Sequence, residues 1–350
     1  MGHTNFQMLS RVAALEMALN DGWHPLMDWK VGPATGSIEA GDFHTFDEFF
    51  AAYREQLAFL VDQSIQYNEM LGQAHQQLRP TPLLSSLIDG TIASGRDVTC
   101  GGAKYNSSGA ACIGLADVID SMLVIEKLVF EQKAVSFAEL KRAVDTNFAE
   151  DPELLALVTH KVPLFGSGNA DAVAMGNRIT AMVQSLYDRY TNYRGGRYAA
   201  GFWSMSTHVS YGTLAGALPS GRLAGKPFTP GLTPAPAASA NLLDNIRDVA
   251  RLDPANMPNN IAFNVKVVPA ADESREQTVD TMAAYVKSYF TLGGMQMQLN
   301  AVTSDTLRDA MVHPENYRNL LVRISGYNAY FVTLNKQMQL ELIARAEYGL

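Results

Sequence analysis

Apolar positions recur at steps of three and four residues through several long stretches of the chain, which is the spacing of an amphipathic helix. The clearest stretch opens with a capping box, Thr45 and Glu48, and carries its apolar stripe as far as Ile65. Ser136 and Glu139 form a second capping box. The predicted helices are residues 5–20, 45–65, 114–132, 136–148, 170–192, 276–290, 303–312 and 335–347.

Short β-like runs lie between these helices. They predict strands at residues 97–101, 202–210, 261–268, 294–301 and 320–325. Several of the runs precede a predicted helix, which favours parallel βα units over hairpins. Residues 227–240 are rich in Pro and Ala and are predicted to form an ordered surface loop. The pattern predicts an α/β protein, and no linker divides it into two independent domains.

Composition narrows the class of protein further. The chain has 350 residues, of which 47% are hydrophobic, and its formal charge is −8. A disordered protein has far fewer apolar groups, and a nucleic-acid-binding protein is expected to carry a basic excess. No run of about 18 apolar residues predicts a membrane span, and the N-terminus lacks the features of a signal peptide. We therefore expect a cytoplasmic protein that binds neither nucleic acid nor membrane.

The cysteines and histidines give little support for catalysis or metal binding by themselves. Cys100 and Cys112 lie in small, apolar surroundings, where burial without a nearby cation raises the pKa of a thiol, so both are predicted to be structural. The seven histidines include no pair at ligand spacing, so no metal site is expected. His208 follows the aromatic pair Phe202 and Trp203, and is predicted to be a hydrogen-bonded structural residue, with substrate contact as the alternative.

Four glycine-containing segments stand out from the rest of the chain. Each is first interpreted as a strand-to-loop turn in which glycine supplies a positive φ or a close backbone approach. None has the spacing of the dinucleotide fingerprint or the P-loop. The segments are residues 97–106, 193–209, 216–225 and 322–328.

The C-terminal part of the chain resembles the glycyl radical domain of the pyruvate formate-lyase-like family. The matching segments are residues 293–298, 306–310, 314–317, 323–327 and 339–345. Residues 97–106 and 216–227 resemble upstream segments of the same family, in the same order. The resemblance therefore covers almost the whole chain. It implies an α/β fold that is half of the family's ten-stranded barrel, with residues 1–230 in the barrel domain and 231–350 in the glycyl radical domain.

The resemblance gives Gly326 the role of storing an unpaired electron on its α-carbon. A glycine suits this role because its Cα becomes planar when a hydrogen is lost, and the flanking amide and carbonyl delocalise the electron. In the family, a radical-SAM activating enzyme that uses AdoMet and an iron–sulfur cluster installs the radical, and the chain itself binds no cofactor and no metal. The resemblance implies an anaerobic, oxygen-sensitive lyase.

Neighbouring residues are expected to support and shield the radical loop. By resemblance, Arg323, Ser325 and Tyr327 support the loop around the glycine. Ile324, Tyr327 and Phe331 are expected to keep water and oxygen away from it, since the radical must be protected from both.

The chain departs from the family pattern in lacking the cysteine that carries the thiyl radical. In the family this cysteine lies in a Cys-x-Glu motif just before a segment that resembles residues 2–7, and neither Cys100 nor Cys112 has this context. We therefore predict the C-terminal half of a glycyl radical enzyme, inactive alone. Its expected partners are the N-terminal half, the activating enzyme and, in the complete enzyme, a second copy. A half-barrel has open sheet edges and exposed apolar surface, which predicts dependence on the other half.

The substrate is expected to be a small molecule that contacts the loop from residue 197 to residue 207. Arg197 is predicted to anchor an anionic head group, with Phe202 and Trp203 excluding water, and a structural ion pair is the alternative role of the arginine. The resemblance favours an isethionate sulfite-lyase type of C–S cleavage, with glycerol or propanediol dehydration as the alternative. A non-catalytic spare-part module is a further hypothesis, against which the upstream segments argue.

Overall fold

The computed structural model describes residues 6–269 and 274–349. Its strands are β1 (Phe6–Ser10), β2 (Trp23–His24), β3 (Trp29–Lys30), β4 (Ser108–Ile113), β5 (Tyr198–Gly201), β6 (Asn264–Val268), β7 (Gln298–Asn300), β8 (Leu321–Arg323), β9 (Asn328–Tyr330) and β10 (Glu347–Gly349).

The α-helices of the described residues lie between and beside these strands. They are α1 (Arg11–Leu19), α2 (Phe46–Leu78), α3 (Pro82–Ser85), α4 (Thr91–Ser94), α5 (Leu115–Val124), α6 (Phe137–Asp145), α7 (Pro152–His160), α8 (Ala170–Tyr187), α9 (Thr207–Thr213), α10 (Leu242–Ala250), α11 (Arg275–Thr291), α12 (Ser304–Val312) and α13 (Lys336–Ala344). A π-helical segment, Ile125–Glu131, continues α5. None of these described helices has a stretch long and apolar enough to cross a membrane.

Parallel strands form the centre of the molecule. One sheet has the order β1-β4-β5 and a second has the order β10-β6-β7, and all pairs within both sheets are parallel. A parallel bridge between Phe202 and Ile261 connects β5 to the segment that leads into β6. The carboxyl ends of β4 and β5 therefore lie at one edge, and the predicted α/β class with parallel units is confirmed.

Two separate hydrophobic cores divide the molecule. The main core lies between the first sheet and helices such as α2, α5 and α8. The second core is built from residues 302–343 and joined by Val209 of α9. Val322, Ile324 and Phe331 bring the β8–β9 hairpin into this second core, where they meet Met338 and other residues of α12 and α13. The hairpin thus rests on its own small core.

The capping boxes are correct predictors of two helices. Thr45 and Glu48 open α2, which continues to Leu78, and Ser136 and Glu139 open α6, in each case with both reciprocal hydrogen bonds. The later helices at 170–192, 276–290, 303–312 and 335–347 are also present, with shifted ends.

Several predicted elements differ from the structure, either because distant segments pair or because a side chain caps a local turn. The predicted helix 5–20 begins as strand β1, because residues 6–10 pair with β4; position 5 lies outside the described residues. The predicted strand 97–101 is a 3₁₀ turn, because the Asp97 side chain accepts from the backbone N–H of Thr99. The predicted strand 202–210 is the loop after β5 followed by α9. The predicted strand 320–325 is present as β8, but it belongs to an antiparallel hairpin and not to a βα unit.

The segment 227–240 is not simply a surface loop. Residues 228–232 are buried, and the backbone N–H of Leu232 donates to the carbonyl of Ala262 at 2.8 Å. The Thr229 hydroxyl and N–H both donate to the carboxylate of Asp117. These bonds satisfy the backbone without regular structure, so the segment forms an inner wall of the molecule.

Candidate active site

Gly326 lies at the tip of the β8–β9 hairpin. The N–H of Ile324 donates to the carbonyl of Tyr327 at 2.9 Å and closes the turn. Gly326 has a φ of +99°, a conformation that residues with a side chain rarely adopt. Its backbone is exposed in this chain. The hairpin therefore presents a glycine α-carbon in a conformation that favours glycine.

Two buried amide side chains on β7 hold this hairpin in place. Oε1 of Gln298 accepts from the backbone N–H of Gly326 at 3.0 Å and from Nε of Arg323 at 2.7 Å. Asn300 bonds both backbone groups of Arg323: its Nδ2 donates to the carbonyl and its Oδ1 accepts from the N–H, each at 2.7 Å. We call Gln298 and Asn300 the amide clamp.

Sequence reasoning missed the amide clamp, although a signal for it was present. Residues 295–300 alternate between apolar and polar side chains. In a strand, this alternation places Gln296, Gln298 and Asn300 on one face. Gln298 and Asn300 are both buried, and buried amides need hydrogen-bond partners. Polar side chains on one face of a short buried strand thus indicated that this face binds another segment of the chain through hydrogen bonds.

We expect Asn300→Ala to loosen the hairpin. The change removes the hydrogen bonds of Asn300 to the N–H and carbonyl of Arg323 and leaves that carbonyl a longer bond, 3.5 Å, from Nη1 of Arg345. Loss of a partner by a buried backbone group costs about 1–3 kcal/mol. Hydrogen exchange of the Arg323 amide should become faster by a corresponding factor. The matched control is Asn328→Ala, which removes only an exposed contact, 3.2 Å from Oδ1 of Asn328 to Nη1 of Arg323. Equal effects of the two changes would contradict a clamp at Asn300.

Trp203 is the side chain nearest to the open side of Gly326. A methyl group built on the α-carbon of Gly326 would lie 4.0 Å from Cε3 of Trp203, which is ordinary van der Waals contact. Trp203 follows the carboxyl end of β5, and Met205 two residues later has a positive φ of 50°. Such a conformation is strained for a residue with a side chain and is frequent in loops around functional sites. Trp203 therefore lies where a shield for Gly326 would be needed.

The three residues predicted to contact substrate do not form one pocket. Arg197 precedes β5 and is exposed, whereas Trp203 follows the other end of the strand. Phe202 is fully buried in the main core, where it is not available to a substrate. Arg197 lines a separate cavity of about 370 Å³ with Lys104 and Asn106, and it has no ion pair within the described residues. The structure therefore places Arg197 and Trp203 at opposite ends of β5, and the substrate-binding role of Arg197 stays a prediction.

The residues expected to shield the radical loop pack on its other side. Ile324 and Phe331 are fully buried in the second core, beneath the hairpin, and Tyr327 packs against that core. Gly326 itself remains exposed. Ile324, Tyr327 and Phe331 thus do not cover the exposed side of Gly326, because a two-stranded hairpin buries only the face that meets its core. Ser325 is fully buried, and no partner for its hydroxyl is found in the described part of the chain.

A buried polar chain joins the main core to helix α13. Oγ of Ser204 lies 3.0 Å from Nδ1 of His208, and Nε2 of His208 lies 3.4 Å from Oε1 of Glu341. Arg345 binds the Glu341 carboxylate through Nε at 2.8 Å and Nη2 at 2.9 Å. Burial opposes ionisation of Glu341, but Arg345 and His208 lower the pKa of its carboxyl to about 2. His208 is thus a structural link, on α9 and not on a strand.

Cys112 has an unexpected cationic neighbour. Its side chain is fully buried, and Nη2 of Arg11 lies 2.8 Å from its Sγ. Burial raises the pKa of the Cys112 thiol, and Arg11 acts in the opposite direction. The prediction of a thiol without a nearby cation is therefore wrong for Cys112. Cys112 lies on β4 within the main core, where Nη2 of Arg11 also donates to the hydroxyl of Tyr187 of α8 at 3.1 Å.

Family models match both parts of the chain. The "Pyruvate formate lyase-like" model matches residues 1–212, and the "Glycine radical" model matches residues 228–332. The second match contains Gly326, the amide clamp and the hairpin.

Known proteins of this kind are similar along nearly the whole chain. Trans-4-hydroxy-L-proline dehydratase of Clostridioides difficile is 30% identical over 95% of this chain and 42% of its own length. Isethionate sulfite-lyase of Desulfovibrio desulfuricans is 29% identical, over 96% of this chain and 41% of its own. The glycerol-bound B12-independent glycerol dehydratase of Clostridium butyricum superposes with a TM-score of 0.93 at 30% identity, covering 98% of this chain and 43% of that one. The chain spans less than half the length of these relatives. By its fold, its glycine hairpin and its family-model matches, the chain belongs to the pyruvate formate lyase-like family of glycyl radical enzymes.

Proposed function

We propose that this chain is the radical-storing portion of a glycyl radical lyase, with the radical on Gly326. The observation that carries the proposal is the placement of Gly326 at an exposed hairpin tip, with its N–H held by Gln298 at 3.0 Å. Loss of one hydrogen atom from the α-carbon leaves the unpaired electron there. The electron is delocalised over the flanking amide and carbonyl, and the fixed N–H keeps that amide in one orientation.

The exposed tip suits activation by a second enzyme. A radical-SAM activating enzyme with AdoMet and an iron–sulfur cluster must reach a hydrogen on the α-carbon of Gly326. The hairpin packs on the second core, to which the rest of the described molecule contributes Val209 of α9, so it is separate from the main core. The same exposure leaves a stored radical open to oxygen, which implies that another polypeptide region covers it during turnover.

The thiyl cysteine is proposed to come from outside this chain. Cys112 is enclosed in the main core beside Arg11, and Cys100 lies in the 3₁₀ turn before β4. The relatives are more than twice as long as the part that this chain matches. An N-terminal region equivalent to the unmatched part of the relatives would supply the cysteine, cover Gly326 and complete the barrel, and the complete enzyme is proposed to be a homodimer.

The substrate is proposed to be a small molecule with a leaving group next to the carbon that loses hydrogen. A thiyl radical takes that hydrogen, and the substrate radical then expels the leaving group. Isethionate, with C–S cleavage, is the first substrate to test, and glycerol or propanediol, with C–O cleavage, are the alternatives. The relatives include enzymes of both types at about 30% identity. A match that extends over residues 1–212 favours part of an enzyme over a small spare-part module.

Oxygen should cut the activated chain at Gly326. We expect anaerobic incubation with the activating enzyme and AdoMet to produce a doublet in the EPR spectrum, since one hydrogen remains on the α-carbon. Brief exposure to air should then remove the signal and release a short fragment that begins after position 326, detected by mass spectrometry. Protein that received no AdoMet is the control and should stay intact. A strong doublet followed by no cleavage at this position would contradict the assignment of the radical to Gly326.

A further inference from the structure

A cavity of about 420 Å³ lies between helix α13 and the main body of the molecule. One wall is the buried part of the segment 227–236, together with Asn264 of β6. The opposite wall is formed by Leu340, Glu341 and Ala344 of α13. Gly326 and Trp203 do not line it, so it is distinct from the candidate active site. Its volume is in the range that small-molecule sites occupy.

The lining of this cavity is mainly apolar. Phe228, Pro230 and Pro234 contribute one side, and Leu340 and the ring of Tyr348 contribute the other. Such a surface stabilises the body of a small ligand through burial of apolar area. An aromatic or branched carbon skeleton fits this lining better than a highly polar one.

One buried polar atom in the wall has no partner in the described chain. Asn264 is almost fully buried, with 4% of its surface exposed, and it lines the cavity. Its Nδ2 donates to Oγ1 of Thr233 at 3.2 Å and lies 3.4 Å from the carbonyl of Pro230, which fixes the amide orientation. Its Oδ1 accepts no hydrogen bond from any residue that the structure describes. An unpaired buried acceptor is costly, and a ligand hydroxyl would satisfy it.

The buried charged residues of the wall are already paired. Nζ of Lys266 donates to Oγ of Ser304 at 2.7 Å and to the carbonyl of Ile343 at 3.1 Å. Glu341 and Arg345 bind each other through two hydrogen bonds. Lys226 also lines the cavity, but it is exposed to solvent. No buried charged residue of the described wall offers a free counter-charge, so the wall favours a neutral ligand.

Helix α13 connects this cavity to the Gly326 hairpin. Leu340 and Glu341 line the cavity, whereas Met338 and Leu342 of the same helix lie in the second core with Phe331 of the hairpin segment. A ligand that contacts both walls binds only when α13 is docked. Its binding free energy therefore adds to the stability of the docked state.

We infer that this cavity binds a small neutral aromatic or branched alcohol, whose hydroxyl donates to Oδ1 of Asn264. Occupancy then holds α13, and with it the Gly326 hairpin, against the main body. The inference does not depend on whether Gly326 stores a radical, because binding and docking are measured on the chain before activation.

Phenol and toluene are the matched probes for the binding step, measured by calorimetry or NMR titration. We expect phenol to bind the full chain more tightly than toluene. Asn264→Leu keeps a similar side-chain volume and removes the acceptor. It should therefore weaken the binding of phenol about tenfold and leave the affinity for toluene unchanged or higher. Thr233→Ser is the control, because it alters the cavity wall but keeps the oxygen that accepts from Nδ2 of Asn264, and the preference for phenol over toluene should persist.

A second variant covers the case in which the first does not fold. Leu340→Trp places a larger side chain at the cavity wall from a half-exposed position on α13 and should block both probes. Lys336→Trp, on the same helix and outside the cavity, should bind both as the unchanged chain does. The inference would be overturned if phenol did not bind at millimolar concentration, or if its affinity were the same in Asn264→Leu and Leu340→Trp as in the unchanged chain.

The docking step has its own measurement. The state in which α13 is undocked from the main body cannot bind phenol. With phenol at ten times its Kd, the population of this undocked state should therefore fall about tenfold. Hydrogen exchange of the Arg323 amide on β8 should slow by that factor, and exchange within α6, which lies outside the second core, should not change. Phenol binding without slower exchange on β8 would refute the link between the cavity and the hairpin.

Discussion

Gly326→Ala is expected to abolish the doublet in the EPR spectrum and, with it, all turnover of the assembled enzyme. The methyl group removes the α-carbon with two hydrogens on which the stored radical depends. It also forces a residue with a side chain to adopt a φ of +99°, which costs about 1–2 kcal/mol. The space beside Trp203 admits a methyl group at 4.0 Å, so the chain should still fold. Circular dichroism and anaerobic EPR on the same sample measure both effects.

Gly41→Ala is the matched control for this experiment. Gly41 also has a positive φ, +77°, and a Cβ added there meets nothing within 4 Å. The two substitutions therefore carry a similar conformational cost, but Gly41 lies in a loop before α2. We expect the doublet to persist in Gly41→Ala at the intensity of the unchanged chain. A doublet that survives in Gly326→Ala would refute the proposed function.

Glu341→Ala is expected to give the largest loss of stability in the second core. The change leaves Arg345 and His208 buried without their shared carboxylate, and removal of one partner of a buried ion pair costs about 3–5 kcal/mol. Urea unfolding followed by hydrogen exchange on β8 should show early undocking of α13 and the hairpin. The control is Glu315→Ala, which removes a surface carboxylate 3.8 Å from His313 and should leave the midpoint unchanged.

The same carboxylate predicts a dependence of stability on acid pH. The pKa of Glu341 is about 2 in the folded chain, against an ordinary value of 4.5. Because the folded-state pKa is depressed, its contribution of about 3 kcal/mol is complete above pH 4.5 and is lost as the pH falls towards 2. Glu341→Gln should flatten the pH profile of stability in this window. An unchanged profile would contradict an ionised Glu341 in the folded chain.

Local signals predicted the helices well and the strands poorly. The capping boxes at Thr45 and Ser136 act within four residues, so the chain segment carries all the information that they need. Strand β4 consists mostly of small residues and was not predicted, because such residues have weak intrinsic strand preference. It becomes a strand because β1 and β5 pair with it on both sides.

The candidate site likewise has a part that the sequence predicts and a part that depends on distant segments. The glycine at 326 and its neighbours are recognisable from the sequence, since the motif is contiguous. The partners of the hairpin are distant along the chain: Gln298 lies on β7, and Trp203 follows β5. The structure does not bring the three predicted substrate residues together, because residues close in sequence point to opposite faces of a strand or lie at its two ends. Arg197 and Trp203 are therefore separated by the length of β5, and Phe202 is directed into the core.

The sequence by itself determined the family, the α/β class and the glycine on which a radical can be stored, because these depend on contiguous motifs and local periodicity. Only the tertiary structure decided what surrounds that glycine. It placed the amide clamp against the hairpin, directed the predicted shielding residues into a core beneath it, and left Gly326 exposed. The physical reason is that burial and hydrogen-bond partnership are properties of pairs of segments, and the pairing of distant segments is fixed by packing and not by local pattern.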